Sequence, residues 1–175
     1  MKKANYVVWL TGISNSGKTT VSRELMKYLD TNKIDYVFLD GDLVRDFFEN
    51  DLGYSRQDRL HNIRRIAFAA KLLADNGHLV LVANIAPYFE ARDFIRRKIK
   101  NYIQVYMKVS LKECAARDTK DIYEKALKGL KKNVIGVDDK YDEPRNPDLI
   151  IDTDVTDVET CASKILNLLK QKNIL

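Results

Sequence analysis

Apolar residues follow two alternating rhythms along this chain. Short, nearly continuous β-prone runs appear at Tyr6-Val7-Val8-Trp9-Leu10, at Tyr36-Val37-Phe38-Leu39 and over residues 78–85. Continuous apolar runs are the pattern of strands covered on both faces. Residues 103–109 and 148–152 supply two more. Between the runs, apolar side chains recur at helical spacing: Val21, Leu25, Tyr28 and Leu29, then Ile63, Ile66, Ala70 and Leu73, and finally Val155, Val158, Ile165, Leu168 and Leu169. Ser55, with Asp58 three residues on, forms a helix cap, and Gly77 closes the helix that ends at about Asn76. Pro87 opens a helix reaching about Lys100. Shorter helical stretches fall at about residues 43–49 and 111–117, with a turn over 51–55. Residues 118–143 are polar and basic with few apolar anchors, and read as a mobile flap.

Strands alternating with helices predict an α/β fold: a three-layer α/β/α sandwich with a central parallel sheet. Right-handed crossovers bring the strand ends to one edge, where such sheets bind ligands. Three polar strand ends should meet there. The first is Gly12-Ile13-Ser14-Asn15-Ser16-Gly17-Lys18-Thr19, which fits G-x-x-x-x-G-K-[ST] and lies between a strand and a helix. Its backbone N–H groups and the helix start cradle a polyphosphate. Lys18 reaches the β- and γ-phosphates, and the Thr19 hydroxyl binds Mg²⁺. The second end is Asp40-Gly41-Asp42 and the third Asn84-Ile85-Ala86-Pro87.

The 175 residues suffice for one domain with a substantial core, so residues 1–175 are taken as one unit. The net charge of +5 suits an anionic small molecule, and without a basic tail it points to no nucleic acid. Cys114 and Cys161 lie far apart in apolar helical patterns and read as buried thiols, which favours a reducing, cytoplasmic setting. Met1-Lys2-Lys3-Ala4-Asn5 leads directly into the first strand, so no leader is expected. No apolar run is long enough to span a membrane.

Asp42 is placed to polarise an acceptor hydroxyl or hold Mg²⁺ through water, with Asp40 as second candidate. Asp and Gly are also the commonest turn residues, and the neighbouring phosphate loop is what favours a functional Asp42. Arg45, Arg59, Arg64 and Arg65 suit a solvated helix face. Even so, Arg59, Asn62 and Arg65, at steps of three, are expected to share a face able to bind a second anion. His61 reads as a surface residue. Asn32-Lys33-Ile34-Asp35 spells a guanine-reading motif, but it closes the first helix rather than following a late strand, and the chain has no D-x-x-G. A GTP-driven switch is therefore not expected.

Together these residues resemble the adenylylsulfate (APS) kinase family over nearly the whole chain. The resemblance rests on Trp9 through Thr20, Leu39-Asp40-Gly41-Asp42 with Val44-Arg45, Asp51 through Ser55, Asp58-Arg59, Asn62 through Ile66, Ala116-Arg117-Asp118, Gly136 through Asp139, and Tyr141 through Pro144. It implies a P-loop NTPase fold with a lid at about 118–143, and ATP- and Mg²⁺-dependent phosphorylation of the ribose 3′-hydroxyl of APS. It assigns Asp42 and Lys18 to catalysis, and Thr19 and Asp42 to the metal. Gly12, Ser14, Asn15, Ser16, Gly17, Lys18, Thr19, Thr20 and Arg117 would bind ATP, Arg117 near its adenine. Asp40, Arg45, Tyr54, Arg59, Asn62, Ile85, Lys132 and Val134 would line the acceptor site, with Tyr54 where the family stacks a Phe on adenine. The resemblance also implies a homodimer.

The chain departs from the family pattern mainly on the acceptor side. Asn133-Val134-Ile135-Gly136 stands where Gly-Phe-Thr-Gly is usual, so Val134 offers no ring to close the adenine sandwich. Ala86-Pro87-Tyr88-Phe89 stands for Ser-Pro-Tyr-Arg, removing a serine and a cation, and Asn15 replaces a small residue. Two alternatives follow. One is the same chemistry on another nucleotide-like acceptor such as cytidine diphosphoramidate; the other is an ATP-binding regulatory module without turnover.

Overall fold

The computed structural model describes residues 5–175; residues 1–4, on which the expectation of no leader partly rests, lie outside the described residues. Five parallel strands, β1 (Val7–Thr11), β2 (Tyr36–Asp40), β3 (Leu79–Ala83), β4 (Tyr102–Lys108) and β5 (Leu149–Asp152), lie in the order β2-β3-β1-β4-β5. The helices are α1 (Lys18–Thr31), α2 (Gly41–Phe47), α3 (Arg56–Asp75), α4 (Phe89–Lys98), α5 (Leu111–Ala116), α6 (Ile122–Leu127) and α7 (Val158–Gln171). The period of two along each strand sorts side chains between two cores. Val7, Trp9, Val80, Val82 and Tyr102 pack with Ile63 and Ile66 of α3 and Ile95 of α4. Val8, Leu10, Leu81, Ile103 and Val105 pack with Leu25 of α1 and Ile165 of α7. The expected three-layer sandwich is present.

Local chemistry sets the element ends. The Ser55 hydroxyl accepts from the Asp58 N–H while the Asp58 carboxylate accepts from the Ser55 N–H, so the capping box forms as read. Asn32 ends α1, which places the guanine-like tetrapeptide in a helix-closing turn. Both cysteines are free and buried.

The structure departs from the sequence pattern at two places. The apolar run at 78–85 is a strand only to Ala83, because the chain then turns: the Asn84 carbonyl accepts from the Trp9 indole N–H, and Ala86 has φ of 34°. α4 consequently starts at Phe89, with Tyr88 rather than Pro87 at its cap. Residues 118–143 also hold more apolar anchors than the sequence reading allowed. They contain α6, and Tyr123, Ala126, Val134 and Ile135 are buried in the core beneath α3 and α4. Tyr123 and Ala126, three residues apart on one short helix, carried the signal, but the surrounding lysines masked it.

Arg92 joins this segment to the third strand end. It is 4 % exposed, donates to the Ala86 carbonyl at 2.6 Å and to the Asp142 carbonyl, and lies against the rings of Phe89 and Tyr141. No carboxylate pairs with this guanidinium among the described residues, so carbonyl dipoles and ring faces hold the charge. Lysine cannot span both carbonyls as a planar fork does. Arg92→Lys is expected to cost about 2–4 kcal/mol of stability, measured by urea unfolding.

Candidate active site

The loop between β1 and α1 is shaped by backbone positions that few residues tolerate. Gly12 has φ of 151°, and a Cβ there would lie 2.4 Å from the Met107 carbonyl oxygen. Gly17 caps α1 with φ of 85°, and Asn15 takes φ of 61°. The Asn15 side chain donates to the Cys114 carbonyl at 3.2 Å, which ties the loop to α5. The Ser14 carbonyl accepts from the Tyr123 hydroxyl at 3.1 Å and faces the Cys114 thiol at 3.2 Å. Burial pushes that thiol up from its ordinary range, so it stays protonated.

Lys18 is folded onto its own loop. Its Nζ donates to the carbonyls of Gly12 at 2.8 Å and Ile13 at 2.7 Å, and to Ser16 Oγ at 3.3 Å. Burial lowers its ammonium to about 8, with Cys114, Asp40 and Asp42 partly opposing that shift. Between that value and the ordinary lysine range the folded protein binds fewer protons than the unfolded chain. The burial cost therefore falls, and stability rises, as pH climbs through this window. Thr19 Oγ1 donates to Asp40 Oδ2 at 2.9 Å, and Asp40 Oδ1 accepts from the Asp42 N–H, also at 2.9 Å. Asp40 thus links the loop to the cap of α2, and the Asp42 side chain projects, exposed, from the first turn of that helix.

The three strand ends open onto one cavity of about 480 Å³. Ser14, Asn15, Lys18 and Thr19 line it from the loop, and Asp40, Asp42 and Arg45 from the second strand end and α2. Tyr54, Arg59 and Asn62 come from the start of α3 and the turn before it, Ile85 from the third strand end, and Lys132 and Val134 from the covering segment. Gly12, Ser16, Gly17, Thr20 and Arg117 do not line it. Gly12 and Ser16 are buried within the loop, and Thr20 is exposed on α1. Arg117 lies beyond α5, where it donates to the Thr153 carbonyl at 2.7 Å.

The cavity is strongly cationic: Lys18, Arg45, Arg59, Lys120, Lys131 and Lys132 face two carboxylates, Asp40 and Asp42. Lys120 and Lys131 were not singled out in the sequence, although they belong to the basic run of residues 118–143. Arg45, 7 % exposed, donates to the carbonyls of Leu52 and Gly53, and its guanidinium lies 4.7 Å from the Tyr54 ring centre. Arg59 donates to the Tyr54 carbonyl at 3.0 Å and to the Asn133 carbonyl at 2.6 Å, joining α3 to the covering segment. Arg65 does not join the expected anion-binding face. It pairs with both carboxylate oxygens of Asp51 at 2.7 Å, because six residues turn a helix to a direction roughly 120° away from Arg59. His61 is exposed, as read. Val134 lines the cavity and is also buried in the core.

The family model for adenylylsulphate kinase matches residues 4–152. The chain belongs to the adenylylsulphate kinase family. It is 44 % identical over 165 residues to the adenylyl-sulfate kinase of Halothermothrix orenii, covering 94 % of this chain and 89 % of that protein. Among solved structures it resembles the Mycobacterium tuberculosis APS kinase in complex with AMPPNP and APS. That match has 37 % identity and a TM-score of 0.89, over 94 % of this chain and 97 % of the other. It also resembles a hexameric APS kinase from Thiobacillus denitrificans, at 28 % identity and a TM-score of 0.72, over 97 % of this chain and 29 % of that one. No helix among the described residues is long and apolar enough to cross a membrane.

For this adenylylsulphate kinase family member, the state of Lys18 gives a direct test of polyphosphate binding. A bound polyphosphate would restore the ammonium's charge, so ATP binding at about pH 9 is expected to take up a proton. Titration calorimetry in buffers of different ionisation enthalpy measures that uptake. Lys18→Met should abolish it and weaken ATP binding by about tenfold or more.

Proposed function

We propose that this ATP-dependent phosphotransferase moves the γ-phosphate of ATP to the ribose 3′-hydroxyl of adenylyl sulfate, giving 3′-phosphoadenylyl sulfate. The observation that carries this reading is the single cavity joining a phosphate loop, one exposed carboxylate, and six cationic side chains against two acidic ones. Such an excess suits two polyanions meeting end to end. Asp42 orients the 3′-hydroxyl and takes its proton as the oxygen bonds to the γ-phosphorus and the bond to the β-phosphate oxygen breaks. Lys18 leaves its loop carbonyls for the β- and γ-phosphates. The loop residues hold the phosphates, and Arg117, outside the cavity, lies toward the adenine of ATP. Arg45, Arg59 and Lys132 hold the phosphosulfate end of the acceptor, and Asn62 lines the acceptor site beside Gly41. Tyr54, Ile85 and Val134 flank its base.

The donor set also suits Mg²⁺. The Thr19 hydroxyl and the Asp40 and Asp42 carboxylates are hard oxygens beside the phosphate loop, and a Mg²⁺ bound mainly by phosphates and water needs few protein ligands. When bound, it would neutralise charge on the β- and γ-phosphates. Residues 118–143 act as the lid of one kinase domain and exclude water from the reacting phosphate. Exposed Phe47, Phe68 and Leu72 on α2 and α3 support a homodimer, and the two free cysteines support work in the cytoplasm.

One observation favours a second acceptor. Tyr54 is the one aromatic side chain on the cavity among the described residues, and Val134, which also lines it, offers no second ring, so a smaller base such as that of cytidine diphosphoramidate suits the site. Coupled ADP release with Mg-ATP, comparing the two nucleotides at equal low concentration, separates the readings. Adenylyl sulfate is the expected preference; preference for the cytidine compound overturns the acceptor assignment and leaves the phosphoryl transfer intact. Asp42→Ala is expected to bind ATP normally and lose transfer by about 10²–10⁴-fold in single-turnover assays, and normal transfer would remove Asp42 from its role.

A further inference from the structure

Phosphorylating one ribose hydroxyl poses a selection problem. The 2′- and 3′-hydroxyls are vicinal and chemically alike, and an exposed carboxylate such as Asp42 accepts a hydrogen bond from either. A second fixed contact beside Asp42 is needed to choose. The polar side chains around Gly41 narrow the candidates. Both oxygens of Asp40 are engaged, by the Thr19 hydroxyl and the Asp42 N–H. The Asn62 amide nitrogen donates to the Gly41 carbonyl at 3.4 Å, and its oxygen is buried.

Asn84 is different. Its Oδ1 accepts from the Ala86 N–H at 3.0 Å, which fixes which end of the amide is which. The half-buried side chain lines the cavity, and its Nδ2 has no hydrogen-bond partner among the described residues. That nitrogen lies against Gly41 so closely that a Cβ there would be 2.3 Å away, and it therefore stands one residue from Asp42.

We propose that Asn84 positions the acceptor by donating from Nδ2 to the ribose 2′-oxygen, so that the 3′-hydroxyl meets Asp42. Asn84 is thus a determinant of both acceptor affinity and the site of phosphorylation. The proposal rests on the ribose-phosphorylating reading above.

The test compares adenylyl sulfate with its 2′-deoxy analogue in the wild type, Asn84→Asp and Asn84→Ala. Asn84→Asp keeps an oxygen for the Ala86 N–H and removes the donor, whereas Asn84→Ala removes both without adding charge. For the wild type, loss of the 2′-hydroxyl should raise the acceptor KM about tenfold. Both variants should show that increase already with adenylyl sulfate, with ATP KM within about twofold of wild type and little further penalty for the deoxy analogue. Product analysis of the variants should reveal some 2′-phosphorylated isomer. A deoxy penalty that persists undiminished in the variants, no penalty in the wild type, or acceptor and ATP KM rising together would overturn the role of Asn84. Wild-type enzyme that turns over no adenylyl sulfate would instead overturn the underlying reading, and the Asn84 assignment with it.

Discussion

A parallel sheet buried on both faces leaves its polar chemistry few places to go. In this chain Val7 to Leu10 and Leu79 to Val82 have no solvent-facing side chains, so polar groups collect where the strands stop. The phosphate loop, Asp40-Gly41-Asp42 and the Asn84 turn are consecutive in space because β2, β3 and β1 are neighbours in the sheet. One hydroxyl joins two of these ends directly: Thr11 Oγ1 donates to the Ile85 carbonyl at 2.6 Å and lies 3.1 Å from the Tyr141 hydroxyl. The covering segment is therefore fastened to the sheet at the point where the strands release the chain.

Legibility in the sequence followed locality. The phosphate loop, the capping box at Ser55 and the continuous apolar runs of the strands are each written in neighbouring residues, and each is found in the structure, the third run ending early at Ala83. Arg65 leaves the face of Arg59 because steps of three drift around a helix, and only the partner Asp51, fourteen residues upstream, reveals its use. The anchoring of residues 118–143 shows in the sequence only as the Tyr123–Ala126 pair among lysines, while the partner of the Tyr123 hydroxyl, Ser14, lies more than a hundred residues away. Asn84 was legible as a polar strand end, but which of its atoms remains available depends on Ala86, Trp9 and Gly41 together. Distant pairings of this kind leave no periodic trace.

Charge organises the site more than shape does. The cavity concentrates cations that repel one another, and several are held by backbone carbonyls rather than by acids: Arg45 by Leu52 and Gly53, Arg59 by Tyr54 and Asn133, Lys18 by Gly12 and Ile13. Carbonyl partners orient a cation without neutralising it, so the field remains available to an anion. Asp40 and Asp42 place the negative charge at the loop and the second strand end, where a metal and a hydroxyl would be needed.

The hydrogen bond from Arg59 to the Asn133 carbonyl carries one more consequence. The same guanidinium faces the cavity and grips the covering segment, so an anion drawn to Arg59 and the position of that segment act on one group. Their free energies are then linked: if a seated anion favours the gripped arrangement, that arrangement must favour the anion by the same factor. Such reciprocity lets an occupied site and the segment that covers it stabilise each other without any separate regulatory site.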